Sequence, residues 1–360
     1  MSRGAELLAA LSLAFGPSGC ENEVRRLIAR EIGDADSMTI LPIGNLIVRI
    51  NGKKRDTRPR LVFDAHMDEV GFMIRSIGDD GFLSFTTLGG IDTRVLSARR
   101  VILGSYDGSR RISGYITSKP IHLQGGSDAP GVDSLYIDIG AKNKAEAEKF
   151  VRPGDYGVFD SEFIRLGEHK VKCKAMDDRF GCAVMIEAIR ALKAERPDFD
   201  TYFAFSVREE LGMQGAAAAA WHIRPDFAVA LEATACADLH DVPQGSRIGE
   251  QGEGGLVSPV DAATVYDERF VKFALDLAAE RGIKAQPKRL ASGGNDAAAF
   301  QRSRDGAAVL ALSAPARYIH SANSVVDMRD YESVVALTVQ IARNIGRLAG
   351  GETPAETAMN

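Results

Sequence analysis

Four cysteines in 360 residues, Cys20, Cys173, Cys182 and Cys236, are too few and too scattered to staple a fold, and no two make a CxxC pair. That excludes a disulfide-framed secreted domain and fits a reducing compartment, so a cytoplasmic protein with small buried thiols is expected. No apolar run approaches the roughly 20 residues needed to span a bilayer. The short apolar stretch in MSRGAELLAALSLAFGPSGCENE is amphipathic and has no small-residue cleavage site after it, which makes it part of the fold rather than a signal. A surplus of positive charge is also missing. The 44 Lys and Arg against 49 Asp and Glu leave a net charge of -5, which gives no electrostatic footprint for nucleic acid or an anionic membrane. The expected partner is a small molecule or a peptide. Internal repeats are absent, as is low complexity beyond the alanine run at 216–220.

What is present reads as a soluble globular chain, 45% hydrophobic and 26% charged. Its length exceeds the size at which one core stops growing, so two domains, or one with a large insertion, are expected. Ser18 to Glu21 reads S-x-x-E, the signature of a capping box, followed by Val24, Leu27, Ile28 and Ile32 at helical spacing. Apolar runs of strand length follow: LIVRI at 46–50, LVF at 61–63, TYFAFSV at 201–207, FAVAL at 227–231 and AVLAL at 308–312. Several are apolar on both faces, as in a sheet covered by helices. Helical segments separate them, notably RFGCAVMIEAIRALKAE after Asp178, MQGAAAAAWHI after Gly212 and the terminal YESVVALTVQIARNIGRLA. That alternation predicts an α/β fold with a mixed sheet covered by helices.

Between Gly71 and Leu166 the texture changes to short segments such as GFMIRSI, GFLSFTTL, VILGSY, RISGYI, SLYIDIG and YGVFD, punctuated by Gly and Asp. These predict a small all-β module inserted into the α/β domain, which would then comprise 1–70 and 167–360. The last stretch, GETPAETAMN, reads as a frayed tail.

In an open α/β sheet, ligands bind beyond the carboxyl ends of the strands. The polar residues that follow the apolar runs are therefore the candidates. After LVF come His66 and Asp68; after VKCKAM, Asp177 and Asp178; after TYFAFSV, Glu209 and Glu210; after FAVAL, Glu232; after AVLALSAPARYI, His320. Each is weak alone, because paired acids also suit solvated loops and helix N-termini. Together they make a mixed imidazole and carboxylate set of the kind that zinc, cobalt or manganese accepts. Five ligands suit two metals that share one carboxylate and a bridging water better than a single ion. Asp68, two residues from His66 on an extended chain, shares its face and would fix the ring's tautomer. Glu209 and Glu210 are adjacent and point apart, so one is expected to bind metal while the other acts as general base on the water.

At these residues the sequence resembles the tetrahedral-type (TET) glutamyl/leucyl metalloaminopeptidase family, some members of which carry an older cellulase label. DAHMDEVGFMI, SKPIHL, KAMDDRFGC, VREELGMQGA, LEAT followed by Asp238, SGGNDA and YIHS stand in that family's order across nearly the whole chain. The resemblance implies an α/β peptidase domain with an inserted β-barrel-like dimerisation domain, and dimers assembled into hollow tetrahedral dodecamers. It assigns His66, Asp177 and Glu232 to one metal and Asp177, Glu210 and His320 to the other. It makes Asp177 the bridge, Glu209 the general base and Asp68 the orienter of His66, and it implies a cis peptide between Asp177 and Asp178. Glu232 stands where many members have Asp. By the same resemblance His122 approaches the site from the inserted domain of a neighbouring subunit, although a polar residue in a barrel loop is an equal reading.

The activity implied is that of an aminopeptidase, with short peptides as substrates and two divalent ions as cofactors. A metal-dependent deacylase or amidohydrolase acting on small N-acyl compounds would use the same residues, and a catalytically silent assembly protein could retain them. A preference for acidic N-terminal residues would need a basic side chain near the site, for which Arg94, Arg289 and Arg317 are available. SGGNDA, around Asn295 and Asp296, reads either as a Gly-rich loop near the substrate or as a plain turn.

Overall fold

The computed structural model of the chain describes residues 2–54, 58–119, 122 and 129–350. The terminal 351–360 segment, expected to fray, lies outside the described residues, as do Pro120, Ile121 and Leu123 of SKPIHL.

Eight strands form the central sheet in the order β1 (Ser37–Ile40), β2 (Leu46–Ile50), β12 (Thr201–Ser206), β3 (Leu61–His66), β13 (Phe227–Ala235), β16 (Ala308–Ala316), β14 (Gly255–Val257) and β15 (Ala285–Pro287). The middle four, β12, β3, β13 and β16, run parallel, so their carboxyl ends share one edge. The two faces of these strands are of different grain. Leu61 and Phe63 of β3, Phe203 and Phe205 of β12, Val229 and Leu231 of β13, and Leu310 and Leu312 of β16 point into one core. Covering it are α1 (Arg3–Leu13), α2 (Asn22–Ile32), α4 (Met176–Ala194), α6 (Glu268–Glu280) and α8 (Met328–Ala349). The alternate positions, Val62, Ala204, Ala228, Ala230, Val309 and Ala311, are mostly small and face α5 (Gln214–Ile223) and α7 (Ala297–Arg302). The period-2 alternation of a strand thus sorts large side chains from small ones. The alanine run meets this small face through Ala216, Ala219, Ala220 and Ile223, the spacing of one helical stripe. On the large face, the Phe63 and Phe203 rings stack with centroids 5.5 Å apart, and truncating either would cost about 3–5 kcal/mol.

A closed six-stranded barrel interrupts this sheet in sequence. It comprises β4 (Gly71–Ile77), β5 (Leu83–Leu88), β6 (Arg100–Gly104), β7 (Arg111–Ile116), β8 (Tyr136–Asp138) and β9 (Tyr156–Phe159), with the short α3 (Lys144–Ala147) before its last strand. Its interior is filled by side chains, with Phe72 edge-on to both Phe85 and Phe159 at centroid distances of 5.4 and 5.2 Å. Past the barrel, β10 (Ile164–Leu166) and β11 (Lys170–Cys173) pair with β17 (Ser324–Asp327) in a separate three-stranded sheet. The VKCKAM run that precedes Asp177 therefore feeds it from outside the central sheet.

The S-x-x-E signature is not a capping box. Helix α2 starts at Asn22 with no side-chain cap. The Ser18 hydroxyl donates instead to Asp68, and the Glu21 carboxylate accepts from the amides of Gly19 and Arg208. Groups distant in sequence outcompete the local helix end because they are buried and need partners.

Candidate active site

His66 is the last residue of β3, Glu209 and Glu210 follow β12, Asp177 opens α4, and His320 lies between β16 and β17. Glu232 is not at a strand end, since β13 continues to Ala235. The pairing of β3 with β13 stops at Asp64 and Ala230, two residues short of His66 and Glu232, whereas β3 stays paired with β12 through His66. The sheet parts there, and the two side chains face each other across the opening. The peptide between Asp177 and Asp178 is cis.

These side chains converge. His66 Nε2 lies 3.3 Å from Asp177 Oδ1, 3.8 Å from Glu232 Oε2 and 3.9 Å from Glu209 Oε2. His320 Nε2 lies 3.2 Å from Asp177 Oδ2 and 3.2 Å from Glu210 Oε1. Asp177 thus presents one oxygen to each histidine. One ligand atom from each of His66, Asp177 and Glu232, and likewise from Asp177, Glu210 and His320, falls within 4.8 Å of the others in its trio, as do atoms of His66, Glu209 and Glu210; the first two trios share Asp177. A tetrahedral ion with bonds of about 2.0–2.1 Å has ligand-to-ligand edges of about 3.3 Å, close to the shorter separations here.

Supporting groups reach both rings. His66 Nδ1 is 3.1 Å from the main-chain oxygen of Asp68 and 3.4 Å from its carboxylate, so the carbonyl is the nearer partner. Asp68 also accepts the amides of Glu209, at 3.0 Å, and Glu210, at 3.3 Å. It therefore holds the loop that carries both glutamates as well as facing the imidazole. His320 Nδ1 lies 2.7 Å from the Gly90 carbonyl, which comes from the segment following β5 of the barrel. No side-chain pattern in the sequence singles out a main-chain carbonyl, so Gly90 is invisible there.

The charge balance is lopsided. Burial pushes the carboxyl of Glu232 well above its ordinary range, aided by the charge of Asp178, and burial likewise raises Glu209 to about 9. For the histidines burial acts the other way. It is outweighed by the nearby carboxylates of Asp177 and Asp68 at His66, and of Asp177 and Glu210 at His320, so both rings hold their protons more tightly than free imidazole. Asp177 Oδ1 and Glu210 Oε1 are buried with no hydrogen-bond partner. Orphaned carboxylate oxygens among raised acids are what a missing cation leaves behind. The donor set thus fits divalent metal.

The family model described as M42 glutamyl aminopeptidase matches residues 44–337. The chain belongs to that family. A putative aminopeptidase of Acetivibrio thermocellus is 32% identical over 93% of this chain and 97% of its own length. The lysyl aminopeptidase of Pyrococcus furiosus is 31% identical over 92% and 94%. Among solved structures, an aminopeptidase from Desulfurococcus kamchatkensis superposes with a TM-score of 0.91 at 34% identity, covering 95% of this chain and 94% of that one. The TET1 peptidase of Pyrococcus horikoshii, which can assemble into a tetrahedron or a large octahedral shell, gives 0.85 at 35% identity, covering 94% and 99%. This M42 chain is accordingly a peptidase of the aminopeptidase class with the TET fold.

Other sequence candidates in this M42 peptidase are committed elsewhere. Arg94 pairs with Asp92 on the surface, Arg317 binds Asp238 through two nitrogens, and Arg289 faces Glu250 at 3.4 Å. Sequence reasoning passed over Lys288. It is buried, donates to the Ser292 carbonyl at 2.9 Å, and has its pKa lowered by burial against the opposing charges of Asp261 and Glu232. Asn295 and Asp296 end an irregular segment and are bonded inward: Asn295 donates to Asp261, and Asp296 accepts from Ser206, the residue opposite His66 in the sheet. His122 is exposed.

Proposed function

We propose that this chain is a two-metal aminopeptidase that removes the N-terminal residue from peptides. In this reading His66, Asp177 and Glu232 hold one divalent ion, and Asp177, Glu210 and His320 hold the other. The observation that carries it is the placement of the two Asp177 oxygens, 3.3 Å from His66 and 3.2 Å from His320. Bound there, divalent ions would polarise the scissile carbonyl, acidify water and hold the substrate's free amine.

Glu209 is the general base. Its carboxylate is largely buried and sits 3.9 Å from the His66 ring; although it also groups with His66 and Glu210, neither of the two trios that share Asp177 needs it. A carboxylate at this position can take a proton from water and then give it to the departing amine. Asp68 fixes the Glu209 amide, so that the carboxylate stays aimed without rearranging during the reaction.

The likeness to the TET peptidases also supports a homo-oligomer built through the barrel, which light scattering would detect as a mass several times 38.7 kDa. The functional test is hydrolysis of aminoacyl-p-nitroanilides by chelator-stripped protein, with and without zinc, cobalt or manganese, beside N-acetylated controls. Metal-restored cleavage of free-amine substrates alone is the expected result. Equal cleavage of acetylated substrates would identify a deacylase instead.

A further inference from the structure

The S-x-x-E signature has no part in capping α2, yet both of its polar residues are buried and bonded toward the site. Glu21 Oε1 accepts the amide of Arg208 at 3.2 Å and that of Gly19 at 2.7 Å. The Ser18 hydroxyl donates to Asp68 Oδ2 at 2.5 Å, and Asp68 in turn accepts the amides of Glu209 and Glu210. Three consecutive amides, 208 to 210, therefore find their acceptors on two carboxylates, one from the α1–α2 connection and one braced by it. Arg208 adopts the left-handed conformation at φ +56°, which a residue with a side chain holds only when its surroundings insist.

The connection is itself anchored on both sides. Arg179, fully buried, donates to the carbonyls of Leu11, Ala14 and Gly16, and also to that of Met67, which lies between His66 and Asp68. Gly16 and Ser18 exchange main-chain hydrogen bonds with Glu69. Toward the barrel, Phe15 and Cys20 pack against Val158, with Tyr156 alongside. Such a segment can fix its neighbours rather than follow them.

We propose that Ser18 and Glu21 are positioning residues for the reaction. Together with Asp68 they clamp the 208–210 backbone, so that Glu209 and Glu210 leave a fixed main chain in their two directions. Neither touches the reacting atoms. The proposal rests on the reading of Glu209 as general base, and its test separates the two.

Glu21→Ala, Glu21→Gln and Ser18→Ala are compared with Glu209→Gln in three readouts: kcat and KM on the best aminoacyl-p-nitroanilide, metal content per chain, and hydrogen exchange of the 208–210 amides in metal-free protein. Glu21→Ala should lower kcat about 10- to 100-fold with KM within about 2-fold and metal content unchanged. Exchange at 208–210 should quicken about 10-fold. Glu21→Gln keeps an acceptor oxygen and should recover kcat to within about 3-fold of the unsubstituted protein. Ser18→Ala should show a smaller loss of the same kind, because Asp68 keeps its two amides. Unchanged exchange and kcat in Glu21→Ala would overturn the clamp. So would an equal collapse of the Ala and Gln variants with a lowered Tm, which would make Glu21 a support of the fold only. Full turnover by Glu209→Gln would instead refute the base assignment, leaving the exchange measurement to decide the clamp.

Discussion

His66 and Glu232 stand on two strands of the central sheet, with side chains 1% and 9% exposed, whereas Glu210 and His320 stand on loops, and His320 is 32% exposed. The first pair inherits its positions from a ladder of main-chain hydrogen bonds and the large-residue core beneath it. The second is assembled from the clamped 208–210 backbone, a left-handed His320 at φ +57°, and the Gly90 carbonyl of the barrel segment. Asp177 joins the two. One of the two proposed metal positions would thus be part of the fold, while the other would depend on the docking of the barrel against the sheet, which would give the barrel a direct hold on the chemistry.

The largest expected effect falls on the residue between the two positions. Glu209→Gln should cut kcat by about 10²- to 10⁴-fold, the usual worth of a general base, with the metal content of both positions intact. Loss of metal instead would move Glu209 into the ligand set and blur the comparison. Replacing the histidines separates the halves. His66→Ala leaves buried carboxylates without their partner and should destabilise the metal-free protein by about 3–5 kcal/mol, while His320→Ala, whose ring is 32% exposed although the Asp177 and Glu210 side chains beside it are largely buried, should cost less, about 1–3 kcal/mol. Denaturant melts of the two variants check this, and equal losses would break the distinction.

Gly89, with φ +85°, lies beside the loop-held half, where an added Cβ would stand 2.9 Å from Val70 Cγ1 and 3.1 Å from the side chain of Glu210. Gly89→Ala should cost about 1–2 kcal/mol and halve the metal content, emptying the loop-held position before the sheet-held one. A pH dependence from the clamp bears on the same comparison. Burial, with the charge of Asp68, raises the Glu21 pKa from the ordinary 4.5 to about 7. The folded state therefore keeps a proton that the unfolded chain has lost, so stability is greatest below pH 4.5, falls as the pH rises to about 7 and is level above. The fall should amount to at most about 3 kcal/mol. Melts of metal-free Glu21→Gln between pH 4.5 and 8 should lack that slope.

What could be read in the sequence follows the same division. His66 and Glu232 were legible because each rides on an apolar run whose strand character is local. Glu209, Glu210 and His320 were legible because they come after such runs, on the shared carboxyl edge. Glu232 was misjudged by a few residues, since FAVAL does not reveal that β13 continues through Glu232 to Ala235. Gly90, Ser18 and Glu21 were not legible as parts of the site. The first contributes only main chain, and the other two carry a local signature whose polar groups are captured by Asp68 and Arg208, 50 and 187 residues away. A capping pattern reports a competition whose tertiary competitor the local sequence does not display.

The most direct measurement is anomalous diffraction from crystals loaded with zinc or cobalt. Two peaks per chain about 3.5–4 Å apart, one against His66, Asp177 and Glu232 and the other against Asp177, Glu210 and His320, are predicted. A single peak at saturating metal, or a second one away from Asp177, would contradict a centre built half by the sheet and half by the loops.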